Sequence, residues 1–450
     1  VLYRLVDLRK SAEEIAEGMV DYLRNHADLE RIEVAGSYRR RKETVGDLDI
    51  LAVPAGGAGN AGAGPRASEA GAGNAGAGGA APTDAAAIMD VFTSHEDVSR
   101  VSMKGETRSS VVLRSGVQID LRLLDRNSYG SALQYFTGSK EHNIAVRRVA
   151  QEQGFKVSEY GIFRGEEQVA GAEEKAMYEA LGLAWVPPEL RENRGEVEAA
   201  AAGSLPALVT QKDIRGDLHS HTNASDGSFT LDQMAKAARG LGYEYLAVTD
   251  HSKSLTVANG LDEDRLARQI DEIARLNERF DDGFRLLAGI EVDILADGRL
   301  DLADDILSRL DLVVCSIHSG LNKSEEKQTE RIIRAMDNPH CNIIAHPTGR
   351  LLGSRQAYPV NMEKLLEAAL ERGCHFEINA QPERLDLRDE HARAARELGL
   401  RTSIATDAHA PANLQFMRYG VYQARRAWLE KDDVLNTRPA STLKELLARS

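Results

Sequence analysis

Histidines and carboxylates recur at the ends of apolar runs in the second half of this chain. His219 and His221 stand two apart in IRGDLHSH, a spacing that puts both on one side of a strand. Asp250 with His251, then Glu291, His318, His346, and finally Asp407 with His409 hold the same relative place in YEYLAVTDH, FRLLAGIEVDI, LDLVVCSIHS, CNIIAHP and RTSIATDAH. A single His at a strand end is ordinarily a hydrogen-bonded core or surface residue, but six of the 12 His share this position. Neutral imidazoles mixed with carboxylates suit zinc, manganese or iron, and the donors outnumber what one four- to six-coordinate ion can use. A cluster of two or three ions is expected. Such clusters clamp both oxygens of a phosphate-ester displacement and lower the pKa of a bound water, so the chemistry expected is phosphoester hydrolysis.

The first half carries a second constellation. Asp47 and Asp49, in AGSYRRRKETVGDLDILAV, sit at i and i+2 of a strand that continues through Ile50 to Val53, and Asp120 occupies another strand, VQIDLRLL. Two carboxylates on one face repel unless cations or arginines lie between them. Three convergent Asp on strands suit two-metal nucleotidyl transfer. Gly36 and Ser37 precede an arginine run, where backbone N–H groups, a hydroxyl and a guanidinium can cradle a triphosphate. The run Arg39 to Lys42 reads equally well as a solvated turn.

Periodicity supplies the elements that position these groups. Ser11 to Leu29, with Ile15, Met19, Leu23 and Ala27 on one stripe, predicts an amphipathic helix, and RIEVAGS predicts the strand after it. Residues 55–81 are almost wholly Ala, Gly and Asn, with AGNAGAG occurring twice, and are expected to be a mobile insert without chemistry. A helix near 84–94, strands VVLRSG and VQIDLRLL, and helices around 130–154 and 172–182 complete an α+β domain ending near Trp185. Residues 186–212 mix Pro, charge and Ala and are expected to be a linker. From 213 to 450, seven strand-like runs alternate with helices at 231–241, 263–280, 326–338, 361–372 and 388–398, the pattern of a closed parallel α/β barrel. In such barrels the site lies at the C-terminal strand ends, so one pocket should gather all the donors.

Composition narrows the classes. A net charge of −14 argues against a protein that coats nucleic acid through uniform basicity, leaving local patches such as Arg39–Lys42 and Arg147–Arg148. No apolar run approaches eighteen residues, and VLYRLVDLRK lacks the features of a secretion signal, so a soluble cytoplasmic protein with no membrane partner is expected. Cys315, Cys341 and Cys374 lie unpaired inside apolar runs and read as core thiols. Val1 in place of Met suggests the surviving part of a longer chain.

DLHSHTNASDG, VTDHS, GIEVDI, SIHS, AHPTGR and TDAH together resemble the ordered motifs of the PHP (polymerase and histidinol phosphatase) domain over 213 to about 435. The resemblance implies a distorted (β/α)7 barrel with His219, His221, Glu291 and Asp407 on one ion, Glu291, His318 and His346 on a second, and His251 and His409 on a third. Asp226 is either a further ligand or a carboxylate in an Asp-Gly turn. Asp250 either ligates or orients a ligand. Arg350 is expected to hold a DNA phosphate, its commoner alternative being a surface salt bridge.

GSYRRR, GDLD, IDLR and YFTGSKEHN make residues 1–185 similar to the nucleotidyltransferase-type palm and small thumb of bacterial family X DNA polymerases. By that resemblance Asp47, Asp49 and Asp120 bind Mg2+. Gly36, Ser37, Arg40, Gly46 and Gly138 contact the incoming dNTP, Tyr135 and Phe136 check its sugar, and Asn143 reaches its base edge. Members of that family begin with a helical lyase-like domain and a fingers segment, and this chain starts after both, so weak gap filling is expected. The joint implication is a DNA repair enzyme that extends gapped or 3′-ended DNA and trims it 3′ to 5′ with a Mn2+ or Zn2+ cluster. The rival readings are a phosphatase of small phosphate esters with an inert front domain, and a DNA-end-binding scaffold with both sites silent.

Overall fold

The computed structural model of the chain describes residues 7–56 and 84–449, so nearly all of the Gly/Ala-rich stretch expected as an insert lies outside the described residues. The chain divides into two compact units, Val1–Leu205 and Pro206–Ser450.

The first unit contains strands β1 (Asp7–Leu8), β2 (Leu29–Val34), β3 (Thr44–Val45), β4 (Asp47–Pro54), β5 (Val98–Lys104), β6 (Arg108–Leu113), β7 (Gln118–Leu123), β8 (Lys156–Ser158), β9 (Gly161–Arg164) and β10 (Glu167–Ala170). Five of them form a sheet in the order β2-β4-β7-β6-β5. Residue alternation divides its two faces. Leu48, Ile50, Ala52, Ile119 and Leu121 pack with Ala12, Ala16, Met19 and Leu23 of the helix Arg9–His26 and with Ile88, Met89 and Phe92 of the helix Ala85–Thr93. Leu51 and Val53, of opposite parity, pack with Tyr129, Ala132 and Leu133 of the helix Tyr129–Thr137. Asp47 and Asp49 share that second parity, so they emerge beside this helix.

Two strand groups escape the periodicity. β5 is an edge strand whose side chains are almost all exposed, so it has no apolar alternation to detect. β8, β9 and β10 make a small antiparallel sheet of three or four residues each. The expected linker at 186–212 requires correction: Pro188–Leu190 and the helix Glu196–Ala202 are built into the first unit. Two of its charges are buried and paired within the unit. Buried Arg191 donates to Glu174 at 2.7 Å, and buried Glu196 accepts from His142 at 2.7 Å. A charged, Ala-rich composition thus concealed folded structure.

The second unit is a seven-stranded parallel sheet in sequence order: β11 (Gly216–Asp217), β12 (Tyr245–Val248), β13 (Arg285–Asp293), β14 (Leu312–Ser316), β15 (Ile343–Ile344), β16 (His375–Asn379) and β17 (Thr402–Ala405). It curls until its first and last strands meet. Ser220 bridges Ala408, and buried Asp217 accepts from the backbone N–H of Thr406 at 3.1 Å and from the Thr406 hydroxyl. The interior cluster includes Tyr245, Ala247, Leu312, Val314, Ile343 and Ala405, with Leu443 and Leu447 of the C-terminal helix packed into it. Residues of opposite parity, such as Leu246, Val248, Val313, Cys315, Phe376 and Ile378, pack in the cluster that includes the surrounding helices. All three cysteines are buried and free. Among the described residues no helix is long and apolar enough to cross a membrane.

Candidate metal centre and nucleotide cleft

Glu291 organises the barrel centre. It follows Leu287 and Gly289 at the interior parity of β13, and its carboxylate meets five imidazoles. Oε2 lies 2.8 Å from His251 Nδ1, 3.4 Å from His219 Nε2 and 3.5 Å from His221 Nε2; Oε1 lies 2.9 Å from His346 Nε2 and 3.4 Å from His318 Nε2. Asp407 Oδ1 is 3.0 Å from His221 Nε2 and 3.6 Å from His219 Nε2. Asp226 faces His251 at 3.4 Å, His409 at 3.5 Å and His221 at 3.7 Å. Three sets of atoms converge closely enough for one ion each: His219, His221 and Asp407; His251, Glu291 and His318; and His221, Asp226, His251 and His409. His346 touches Glu291 but falls outside these sets. Its N-terminal neighbour Ala345 points inward, so a regular strand would turn His346 outward; its backbone is left-handed (φ 27°), which breaks the alternation. Asp407 is left-handed too (φ 51°).

The donor set fits cations. His219 Nε2, His221 Nδ1, His251 Nδ1 and Glu291 Oε2 are buried and, apart from their close approaches to one another's charges, have no well-aligned hydrogen-bond partner among the described residues, a costly state for isolated polar atoms and the expected one for ligand atoms. Without an ion the cluster compensates by pairing protons with carboxylates. Burial pulls His251 and His318 down, but the Glu291 charge, joined by Asp226 and Asp293 respectively, outweighs it and leaves them at about 10 and about 9. Burial and then the neighbouring His251 charge hold His221 down at about 4. Burial opposes ionisation of Glu291 and Asp407, yet the surrounding imidazoles carry both well below the usual carboxylate range.

Behind these donors stand residues that the sequence reading missed. Glu377 on β16 is buried; its Oε1 accepts from His219 Nδ1 at 2.6 Å, and its Oε2 accepts from the His346 backbone N–H at 2.8 Å and the Asn379 amide at 3.1 Å. Asn379 also donates to Asp407 Oδ2 at 3.1 Å. Asp293, two residues beyond Glu291, accepts from His318 Nδ1 at 3.1 Å. The available signal was parity: in HFEIN, Glu377 and Asn379 alternate with the outward Phe376 and Ile378.

Two sequence expectations change. Asp250 has the outward parity of Leu246 and Val248, and it touches no imidazole of the cluster by any hydrogen bond. It accepts from Thr222 N and Oγ1 at 2.8 and 2.6 Å, from Ser225 Oγ and from Gln269 at 2.6 Å, which fixes the loop carrying Asp226. Arg350 is buried and donates from Nε to Arg384 O at 2.9 Å and from Nη2 to Leu385 O. It braces backbone, so it is not disposed to grip a DNA phosphate. Arg384, by contrast, reaches the centre, with Nε 3.5 Å from Asp407 Oδ2.

In the first unit, Gly36, Ser37, Arg40, Asp47, Asp49, Tyr135, Phe136, Gly138 and Asn143 line one open cleft, with Lys140 and Arg147 added. Gly46 lies outside this lining, on the exposed turn between β3 and β4. Parallel register sets Asp49 directly beside Asp120. Burial first, then the Asp47 and Asp120 charges, raise Asp49 to about 6 against the pull of Arg122 and Arg108. Asp120 goes the other way: burial pushes up, but bonds from Ser110, Arg108 and Gln118 hold it below the ordinary value. Arg108 Nη2 is 2.9 Å from its Oδ2. Gly36 is left-handed (φ 67°), and a Cβ there would come within 3.1 Å of Asp49 Oδ2. Gly138, also left-handed, leaves room for Arg40, which donates to Thr137 O at 2.5 Å. Tyr135 and Phe136 meet edge to face at 5.2 Å. The Asn143 amide is engaged at both ends, by Tyr135 O at 2.7 Å and Gln134 at 2.8 Å, so reaching a base edge requires exchanging a partner.

Comparison with known proteins agrees with this division. The family model described as DNA polymerase beta thumb matches residues 132–192, and the PHP domain model matches residues 217–381. A protein of Bacillus subtilis named DNA polymerase/3'-5' exonuclease PolX is 38% identical over 440 residues, spanning 97% of this chain and 72% of that protein. A probable phosphatase of Thermoanaerobacter is 30% identical over 242 residues, 51% of this chain and 93% of its own, and one of Acetivibrio thermocellus is 33% identical over 202 residues, 43% of this chain and 78% of its own. The phosphatases match less of this chain than the PolX protein, whose similarity runs through both units, and the chain therefore belongs to the PolX family of bacterial family X polymerases joined to a PHP domain.

Proposed function

We propose that the chain is a DNA repair enzyme of the cytoplasm that adds nucleotides to a DNA 3′ end under template direction and removes them 3′ to 5′ at a separate metal centre. The observation that carries this reading is the similarity to PolX across 97% of the chain, joined to neighbouring carboxylates in the first unit and converging imidazoles and carboxylates in the second.

In the cleft, Asp47, Asp49 and Asp120 would hold Mg2+. When bound, the ion would supply charge neutralisation for the triphosphate and for the DNA 3′ oxygen that attacks it. Ser37, in the short helix Gly36–Arg39, and Arg40 at its C-terminal end orient the phosphates, and Gly36 leaves Asp49 unobstructed. Lys140 and Arg147 add positive charge to the same wall, where triphosphate and DNA backbone need it.

In the barrel, His219, His221, Asp226, His251, Glu291, His318, His346, Asp407 and His409 would hold two or three ions, Mn2+ or Zn2+. These supply Lewis acidity and an activated water. Glu377 fixes the His219 tautomer by accepting at Nδ1, which leaves Nε2 to ligate; Asp293 does the same for His318. The test is separation of function on the full chain. Asp49→Ala should abolish dNTP incorporation and leave 3′ trimming largely unchanged, whereas replacing His219 and His221 together with Ala should do the reverse. Equal loss of both activities in either variant would contradict two independent centres.

The similarity of the barrel to probable phosphatases supports a second reading, hydrolysis of small phosphomonoesters by the same donors. Turnover of a single-stranded oligonucleotide against p-nitrophenyl phosphate, both in manganese, discriminates between them.

A further inference from the structure

The loops after β15 and β16 carry arginines that the donor cluster leaves unexplained. Residues 351–355 close a small hairpin, with Leu351 N donating to Arg355 O at 2.9 Å and Arg355 N to Leu351 O at 2.8 Å. Leu352 N donates to Glu383 O at 2.6 Å, which docks this hairpin against the loop that bears Arg384. Arg350 lies buried at the junction, holding the carbonyls of Arg384 and Leu385, and Leu385 itself is left-handed (φ 42°). So much bracing around one solvent-facing loop points to a side chain whose position matters.

That side chain is Arg384. Its Nε lies 3.5 Å from Asp407 Oδ2 with the side chain 20% exposed, and its two Nη atoms donate no hydrogen bond among the described residues. Arg355 is exposed and uses Nε on Gly349 O at 2.8 Å, with no carboxylate partner among the described residues. The two guanidiniums are close enough that, after burial, the Arg384 charge is what disfavours ionised Arg355 most. Like charges on two loops docked together through Leu352 N and Glu383 O, one of them against a metal-ligand carboxylate, are stabilised by a bound anion. A phosphomonoester at the metal donors has one phosphate and needs only Arg384. Arg355, displaced toward solvent, is useful to a substrate with a second phosphate further along.

We propose that Arg384 and Arg355 form a two-phosphate ledge, Arg384 engaging the phosphodiester at the metal donors and Arg355 the next phosphate of the strand, so that the ledge selects a polynucleotide over a small phosphomonoester. This rests on the nuclease reading above, which it extends to substrate selection.

The test uses the full chain in manganese, with a single-stranded oligonucleotide and p-nitrophenyl phosphate as the two substrates. R355A should lower the ratio of their kcat/KM values about tenfold, through KM for the oligonucleotide, the scale of one lost charge-assisted contact. The slope of log kcat/KM for the oligonucleotide against log salt should become shallower by about 0.7, the change for one single-strand phosphate contact. R355K, which keeps the charge, should restore most of that slope. R384Q should impair both substrates while thermal unfolding stays near that of the parent. An R355A variant that changes both substrates by one common factor, or keeps the parent's salt slope, would overturn the ledge. A parent chain that hydrolyses p-nitrophenyl phosphate but no oligonucleotide would instead overturn the nuclease reading, and the ledge with it; the parent's own turnover therefore tells the two failures apart.

Discussion

The crowding of carboxylates in the cleft has a measurable cost when no cation is bound. Asp49 is partly buried, stands two residues from Asp47 and is in register with Asp120, and its pKa rises from 3.8 to about 6. A carboxyl whose folded-state value is raised is favoured by the native state in its protonated form. The associated stability is complete below the unfolded value near 3.8 and is lost as pH rises through about 6, above which the native state carries a charge it disfavours. A shift of about two units corresponds to about 3 kcal/mol at pH 8 and roughly half of that at pH 5. Asp49→Asn keeps the shape and removes the charge. In EDTA it should therefore stabilise the first unit by up to about 3 kcal/mol at pH 8 and by clearly less at pH 5. The chain has two tryptophans, Trp185 in the first unit and Trp428 in the second, so urea unfolding followed by fluorescence in a Trp428→Phe background isolates the relevant transition. Magnesium should stabilise the parent and do little for the variant, which should also lack nucleotidyl transfer. A variant no more stable than its parent at pH 8, or equally stabilised at both pH values, would refute the repulsion argument.

Three further outcomes follow from the same geometry. Glu377→Gln cannot accept from both His219 and the His346 backbone, since one of its two positions becomes a donor; retained metal after dialysis, measured by mass spectrometry, should report an affinity about 10- to 100-fold weaker with an unchanged circular dichroism spectrum. Metal uptake by EDTA-stripped protein should release protons and strengthen as pH rises from 6.5 to 8.5, because His251 and His318 hold protons up to about 10 and about 9 in the metal-free cluster; calorimetric titrations with manganese in buffers of different ionisation enthalpy count those protons. Gly36→Ala should cost about 1–2 kcal/mol from its left-handed backbone and sharply reduce dNTP incorporation, since its Cβ would come within 3.1 Å of Asp49 Oδ2; urea unfolding and primer extension read the two effects separately.

Much of this site was legible because strand alternation is strict where strands are regular. The i, i+2 rule puts Asp47 with Asp49 and sets Glu291 at an interior position, and a parallel barrel gathers strand ends. The same rule, applied beyond the metal donors, separates Asp250 from His251, which the sequence reading had kept together as neighbours. It also singles out Glu377 as an inward carboxylate in a buried strand, a signal present in HFEIN but overlooked because the strand's histidine, His375, begins the run instead of ending it. His346 shows where the rule stops: its place depends on a left-handed residue that no periodicity announces. The role of Arg350 was hidden for another reason, since its acceptors are main-chain carbonyls more than thirty positions away. Charge and alanine between 186 and 202 suggested a tether, because composition does not reveal that Arg191 and Glu196 meet their partners inside the unit.

The two centres solve the problem of concentrated charge differently, and the difference suits their chemistries. In the cleft the donors are carboxylates alone, partly open to solvent, and their compensation without a cation is Arg108 and Arg122 beside Asp120 and Asp49, hydrogen bonds to Asp120, and partial protonation of Asp49. If these carboxylates hold Mg2+ as proposed above, the ion would complete the site together with the triphosphate it accompanies, which would couple completion to arrival of the substrate. In the barrel the carboxylates are interleaved with six imidazoles, four of them buried, and Glu291 and Asp407 are already balanced by neighbouring imidazole charge. Bonds from Glu377 and Asp293 fix the two imidazoles they touch. A resident cluster suits hydrolysis, in which the nucleophile is water and must be activated by the protein itself. A substrate-completed pair suits nucleotidyl transfer, in which an ion bound without nucleotide accomplishes nothing. On the proposed reading, opposite reactions on a DNA end would coexist in one chain because the two metal sites would differ in when they become complete.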